Sequence, residues 1–341
     1  MSIDALKAQI KDHKLSNLYL FYGEEEYLKK YYLEGMEKQL LPDEGLKSLN
    51  RVVMEGKADQ GRIIDCCETL PAFSERKLVI VKHSGLFKSK GKGTGEETKG
   101  KNKSEDLINY LQNLPEHVCL VFYEEEIDKR VKLVDVIKKK GLLVEFPLQK
   151  PAELVKWVMK AFSSYKKQMD PYTASRLVES SEQGMTELLG EINKLVMYSG
   201  DRTSITQEDV ERVCVKSIKT RIFDLMDAIA EKDKGRALKL LDDMIAMKEP
   251  LQKITFMITK HFRQLLEMKL LLKEGMDSGA AAAKIGITPY AAAKIYKQCK
   301  GFTVERLKAS IEESLEIDIA VKTGRLKDRL AAEILITCLA S

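Results

Sequence analysis

Tryptophan occurs once, histidine four times and proline eight times in 341 residues. The histidines, His13, His83, His117 and His261, stand far apart and form no His-x-x-x-His pair, so histidine ligation of a metal has little to build on. The six cysteines, Cys66, Cys67, Cys119, Cys214, Cys299 and Cys338, make no C-x-x-C spacing. That argues against a zinc or redox site and fits free thiols in a reducing compartment. No window approaches the run of about 20 apolar residues needed to cross a bilayer. Met1-Ser2-Ile3-Asp4-Ala5-Leu6 lacks the basic start and apolar stretch of a secretion signal, so the expectation is a cytoplasmic protein without a membrane partner. Neither sign of charge dominates: 57 basic against 52 acidic residues leave +5, which permits DNA nearby without requiring it.

What is present is a change of period along the chain. Over the first 150 residues, short apolar runs at 17–23, 49–54, 77–81, 118–123 and 142–146 read as five strands, separated by helical patterns near 27–41, 62–69, 104–114 and 131–140. This alternation predicts an α/β domain with a five-stranded, mainly parallel sheet, from 1 to 147. Beyond Phe146-Pro147 only helical spacing follows. Four segments at 151–167, 171–180, 185–199 and 206–213 suggest a small helical domain over 148–215, and longer helices such as 250–274 and 303–321 an all-helical domain over 216–341. The segment from Lys88 to Lys103 holds six lysines, four glycines and two glutamates and is expected to be a mobile, solvated loop, with a brush against a phosphate backbone as the less favoured role.

A strand ending in glycine before a helix is where a nucleotide phosphate would sit. The chemistry needs free N–H groups, then Lys and Ser or Thr. Here the turn reads Gly23-Glu24-Glu25-Glu26, and carboxylates at a helix N-terminus repel a triphosphate. No bound cofactor is expected. A second match, Gly95-Glu96-Glu97-Thr98-Lys99-Gly100-Lys101-Asn102, fails because Asn replaces the metal-binding hydroxyl and no apolar strand delivers it. Glu124-Glu125-Glu126 reads as a solvated loop. With no nucleophile and base in a recognisable context, no catalysis of the chain's own is expected.

Four stretches in register bear a family likeness. Leu18 to Leu28, Thr69-Leu70-Pro71-Ala72-Phe73-Ser74-Glu75-Arg76-Lys77-Leu78-Val79, Ile222-Phe223-Asp224-Leu225 and Asp318 to Gly324 with Arg329-Leu330-Ala331 together resemble the delta subunit family of bacterial DNA polymerase III. The resemblance implies an AAA+/RecA-like first domain lacking a Walker A site, a lid-type second domain and a helical collar that mediates oligomerisation. It implies a non-catalytic clamp-loader subunit, part of the DNA-directed DNA polymerase holoenzyme. The implied partners are the sliding clamp (the beta subunit), the ATP-hydrolysing loader subunits, the delta-prime subunit and primer-template DNA.

In that family the segment at Leu70, Pro71 and Phe73 contacts the clamp, and the role implied here is a hydrophobic wedge that helps open the ring or hold it open. Ala72 is smaller than the apolar residue expected between the anchors. On the residues alone, Leu70 and Phe73 fit a cap on the core beside the strand at 77 equally well. A rival reading rests on 276–298, MDSGAAAAKIGITPYAAAKIYKQ, whose Gly286 and Thr288 suit the turn and cap of a helix-turn-helix DNA-binding regulator. Its second helix, however, opens on Tyr290 and alanines, which offer few donors to base edges. A degenerate ATPase that still binds nucleotide is the third possibility.

Overall fold

The computed structural model describes residues 3–57, 59–88, 97–181, 184–214 and 217–340, with side chains left out at 97–104. It divides into two compact units, Met1–Leu148 and Gln149–Ser341. The first runs α1 (Ile3–Lys11), β1 (Leu18–Tyr22), α2 (Glu26–Leu40), α3 (Glu44–Asn50), β2 (Arg51–Glu55), α4 (Gln60–Glu68), β3 (Lys77–Lys82), α5 (Glu97–Gln112), β4 (Val118–Tyr123), α6 (Lys132–Lys140) and β5 (Leu142–Glu145). The five strands form one sheet in the order β2-β3-β4-β1-β5, and every neighbouring pair is parallel.

Alternate residues of each strand leave by opposite faces, so a strand buried on both sides must be apolar throughout. Leu18, Leu20, Val79, Val81, Leu120 and Phe122 pack with Ile63 and Cys67 of α4, Leu107 of α5 and Ile137 of α6. Tyr19, Phe21, Leu78, Ile80, Val121 and Val144 pack with Leu6 of α1 and Leu33 and Met36 of α2. Each fully buried aromatic or aliphatic side chain in these layers contributes about 1.5–3 kcal/mol. The architecture is the expected α/β class with a five-stranded parallel sheet.

Three local readings need correction. Residues 49 and 50 are the end of α3, not the start of β2: Asp43 caps the helix by accepting a hydrogen bond from the Gly45 N–H at 2.8 Å, and its last turn closes with the Arg51 N–H on the Lys47 carbonyl. The lysine-rich stretch is not loop throughout: α5 begins at Glu97, so 97–103 is helical, and 89–96 lies outside the described residues. The helix gains an anchor from Leu107 and Leu111, both buried, which composition at 88–103 does not show. Glu124 is not solvated but buried, and one of its oxygens accepts both the backbone N–H and the hydroxyl of Ser84, at 2.8 and 2.5 Å.

The second unit is helical among the described residues: α7 (Pro151–Ser164), α8 (Pro171–Ser180), α9 (Gly184–Ser199), α10 (Gln207–Val213), α11 (Ile218–Ala230), α12 (Lys234–Ala246), α13 (Leu251–Lys273), α14 (Ser278–Ile285), α15 (Pro289–Cys299), α16 (Val304–Lys322) and α17 (Asp328–Leu339). It holds two apolar clusters. One gathers Val158, Phe162, Leu177, Ile192 and Leu195; the other gathers Leu225, Leu241, Ile258, Phe262 and Leu335. Polar contacts stitch α8 to the second cluster, where the Ser217 hydroxyl donates to the Glu179 carbonyl at 2.7 Å and the Thr288 hydroxyl to the Glu179 carboxylate at 2.8 Å.

The helix-turn-helix geometry is present, with left-handed Gly286 (φ 79°) ending α14 and Thr288 capping α15. Its use for reading DNA is not supported. The N-terminal end of α15, which would enter a major groove, is buried at Thr288, Tyr290 and Ala291, and the Tyr290 N–H donates to the Ser175 hydroxyl of α8 at 3.1 Å. Lys294, a basic side chain of α15, is paired with Asp227 at 3.0 Å. No described helix is long and apolar enough to cross a membrane.

Candidate functional site

Two places decide what the first unit can do, and the first is the turn after β1. Gly23 sits at φ 119°, and a Cβ there would lie 2.3 Å from the Phe146 carbonyl oxygen. Only glycine lets the two backbones come so close. Two amides of the turn are already engaged: Gly23 N–H donates to the Glu125 carbonyl at 2.9 Å, and Glu25 N–H to the Phe146 carbonyl at 3.0 Å. A phosphate would have to displace these bonds before it could use the helix N-terminus.

The three glutamates are not equivalent. Glu24 is exposed, whereas Glu25 is buried at the N-cap position. Glu26 pairs with Lys29 and accepts the Tyr123 hydroxyl at 2.7 Å. Burial opposes ionisation of Glu26, but the hydrogen bonds from Lys29 and Tyr123 outweigh it and hold the carboxyl below the usual range. Lys29, fully buried, also donates to the Glu124 carbonyl at 3.1 Å and lies 4.7 Å from the centre of the Tyr123 ring. Lys29, one turn into α2, is therefore bound internally. It is Phe146, Glu125 and Lys29, together with the acids read from sequence, that fill this corner.

The second place is the connection from α4 to β3. Helix α4 stops at Thr69, whose N–H and hydroxyl both bond the Asp65 carbonyl, at 3.2 and 2.9 Å. From there the chain crosses Leu70 to Glu75 in irregular conformation before β3 begins at Lys77. Leu70 is 73% exposed and Phe73 90% exposed, so neither caps the core. Pro71 between them is half-buried and fixes its own φ near −65°. Phe73 takes φ 55°, a left-handed conformation that costs a bulky residue on the order of 1–3 kcal/mol and persists only where its surroundings enforce it.

Those surroundings are two side chains that sequence analysis missed. Asn50, fully buried, accepts the Ala72 N–H at 2.7 Å and donates to the Ala72 carbonyl at 2.8 Å. On the far side of Phe73, Arg76 donates to the carbonyls of Leu15 and Ser16 at 3.1 and 3.2 Å and to the Asn17 side chain at 2.6 Å. The loop is thus tied down on both flanks while its two largest apolar side chains point away from the chain's own core. A lone asparagine before a strand carries no sequence signal for this role, since its partner lies 22 positions away.

Comparison with known proteins places the chain in a family. Residues 19–147 match the family described as DNA polymerase III, delta subunit, and 219–339 match the DNA polymerase III delta subunit, C-terminal domain. DNA polymerase III subunit delta of Bacillus subtilis is 26% identical over 98% of this chain and 96% of its own length. A probable DNA polymerase III subunit delta of Aquifex aeolicus is 24% identical over 79% of this chain and 75% of its own length. The solved Bacillus subtilis DNA clamp loader delta protein superposes with a TM-score of 0.51 at 25% identity, covering 99% of both chains. With both family matches in order along one chain, it belongs to the delta subunit family of DNA polymerase III.

Proposed function

We propose that this chain is the clamp-loader subunit that grips the sliding clamp, the beta-subunit ring, through Leu70, Pro71 and Phe73, and helps to open the ring or hold it open for loading onto primed DNA. The observation that carries the reading is the pairing of two almost fully solvated apolar side chains with a loop tied down by Asn50 and Arg76. A preorganised anchor loses little conformational freedom on binding. Burying Leu70 and Phe73 in an apolar groove contributes about 1.5–3 kcal/mol each, enough to make both hot spots. A wedge that fits the open ring better than the closed one shifts the ring toward opening in proportion to that difference.

The turn after β1 supports the same division of labour. Its engaged amides and internally paired Lys29 suit a subunit that leaves ATP hydrolysis to its neighbours. The partners are then the clamp, the ATP-hydrolysing loader subunits, the delta-prime subunit and primer-template DNA. On this reading 1–147 is the AAA+-like clamp-contacting domain, 148–215 the lid-type domain and 216–341 the collar through which the loader assembles. The test is equilibrium binding of the full chain to the clamp from the same organism, with Leu70→Ala and Phe73→Ala alone and combined. The double variant is expected to bind on the order of 100-fold more weakly or worse, with an unchanged melting temperature. Undiminished binding would overturn the assignment, and a large fall in stability would place the two residues in a structural role.

A further inference from the structure

We propose that the unit 149–341 carries a second docking site, an apolar groove with a basic rim along α11 and α13, which receives an amphipathic helix with acidic flanks from a partner protein. The site is separate from the Leu70–Phe73 loop and does not rest on the clamp-binding reading. The groove encloses about 480 Å³, within the range of formed binding cavities. Its α13 wall is made by residues 253, 256, 257, 260, 261 and 264, one continuous face at three-and-four spacing. At 1.5 Å rise per residue this face runs about 16 Å, or three helical turns.

The floor is aliphatic and aromatic: Ile222 and Phe223 of α11, Met257 of α13 and Ile287 of the α14–α15 turn. At the mouth stands Phe256, a large apolar side chain 64% exposed to water. Basic side chains outnumber acidic ones around it. Lys219, Lys253 and Lys260 line the groove, and Glu179 is the one carboxylate among the described lining residues. Lys253 is balanced by Glu249 at 3.1 Å, and Lys219 and Lys260 against the single Glu179 leave the rim net basic.

An apolar floor three turns long under a basic rim complements a helix with apolar residues at i, i+3, i+4 and i+7 and acids beside them. A nucleic-acid strand fits less well, because base stacking needs a row of aromatic platforms and the floor here is mostly aliphatic. Left-handed Gly286 keeps one wall low: a Cβ there would meet nothing within 4 Å, so the groove stays open at the α14–α15 turn.

The test uses the full chain and a labelled synthetic peptide with Leu and Phe at i, i+3, i+4 and i+7 and Glu at the remaining positions. Its control is the same peptide with Lys for Glu. The acidic peptide is expected to bind saturably and the basic one not. Phe256→Ala and the pair Lys219→Glu with Lys260→Glu are each expected to weaken binding about tenfold or more, with circular dichroism confirming that the variants remain folded. No saturable binding of the acidic peptide, equal binding of both peptides, or binding unmoved by the variants would overturn the proposal. So would displacement of the peptide by dodecanoate or by a single-stranded oligonucleotide that itself binds more tightly and loses affinity in the same variants, since the groove would then belong to that ligand.

Discussion

Asn50 and Ala72 meet as two strands would, the side-chain amide of one standing in for a strand neighbour and exchanging both hydrogen bonds with the backbone of the other, at 2.7 and 2.8 Å. The same Asn50 amide nitrogen also donates to the Leu46 carbonyl at 3.1 Å, so one buried side chain joins the end of α3 to the loop that presents Leu70 and Phe73. Asn50→Ala removes these bonds and leaves the Ala72 backbone to find new partners. The expected loss of stability is about 1–3 kcal/mol, from the buried groups left unsatisfied. Clamp affinity should fall as well, although Asn50 touches no partner itself. Denaturant unfolding and a binding isotherm on the same preparation check both.

Phe73 separates strain from contact. Phe73→Ala removes the side chain but keeps a residue with a Cβ at φ 55°, whereas Phe73→Gly removes both the side chain and the strain. Both variants should lose clamp binding to the same degree. The glycine variant should nevertheless be more stable than the alanine variant, by about 1 kcal/mol. Equal stabilities would mean that the left-handed backbone at this position is relaxed.

Gly23 tests the turn after β1. Gly23→Ala would place a methyl group 2.3 Å from the Phe146 carbonyl oxygen, forcing β1 and the end of β5 apart at a cost of about 2 kcal/mol or more. Chemical denaturation measures it. Since the Gly23 and Glu25 amides are already hydrogen-bonded, titration of the wild-type chain with magnesium ATP is expected to give no saturable binding.

His261 sets an acid limit on the second unit. Burial pushes its imidazole down to about 4, against a smaller opposing effect of the hydrogen bond with Gln298. Gln298 spends its amide N–H groups on the Phe223 carbonyl and the Asp227 carboxylate, so its oxygen faces the neutral ring's N–H, at 2.6 Å. The unfolded histidine binds its proton near pH 6.5, well above the folded one. In that window the unfolded state holds more protons, and stability falls as pH drops from about 6.5 to about 4. Thermal melts across this range should show the slope, and His261→Asn should flatten it.

Much of the fold was legible because the sheet is buried on both faces. A strand such as Val118–Tyr123, apolar at every position, announces itself, and parallel pairing follows from the helices between strands. The short helix α3 was not legible, since seven residues reading EGLKSLN carry too few turns to show a period. The site was half legible. The family likeness pointed to Leu70 and Phe73, but the residues alone fit core and surface equally, and only the fold shows them exposed. Asn50 and Arg76 escaped because their partners lie 22 and about 60 positions away, and a long-range hydrogen bond leaves no periodic trace. The glutamates after Gly23 are only part of what occupies that corner, since the Glu125 and Phe146 carbonyls and Lys29 share it.

The most direct measurement is release of a clamp ring preloaded on nicked circular DNA, followed after adding this chain with no nucleotide and no other loader subunit. The chain should speed escape of the ring, because a wedge needs only its own binding energy to favour the open form, while the Leu70→Ala, Phe73→Ala double variant should leave escape at its spontaneous rate. Equal release by the wild-type chain and the double variant, or release only when ATP is supplied, would contradict the account.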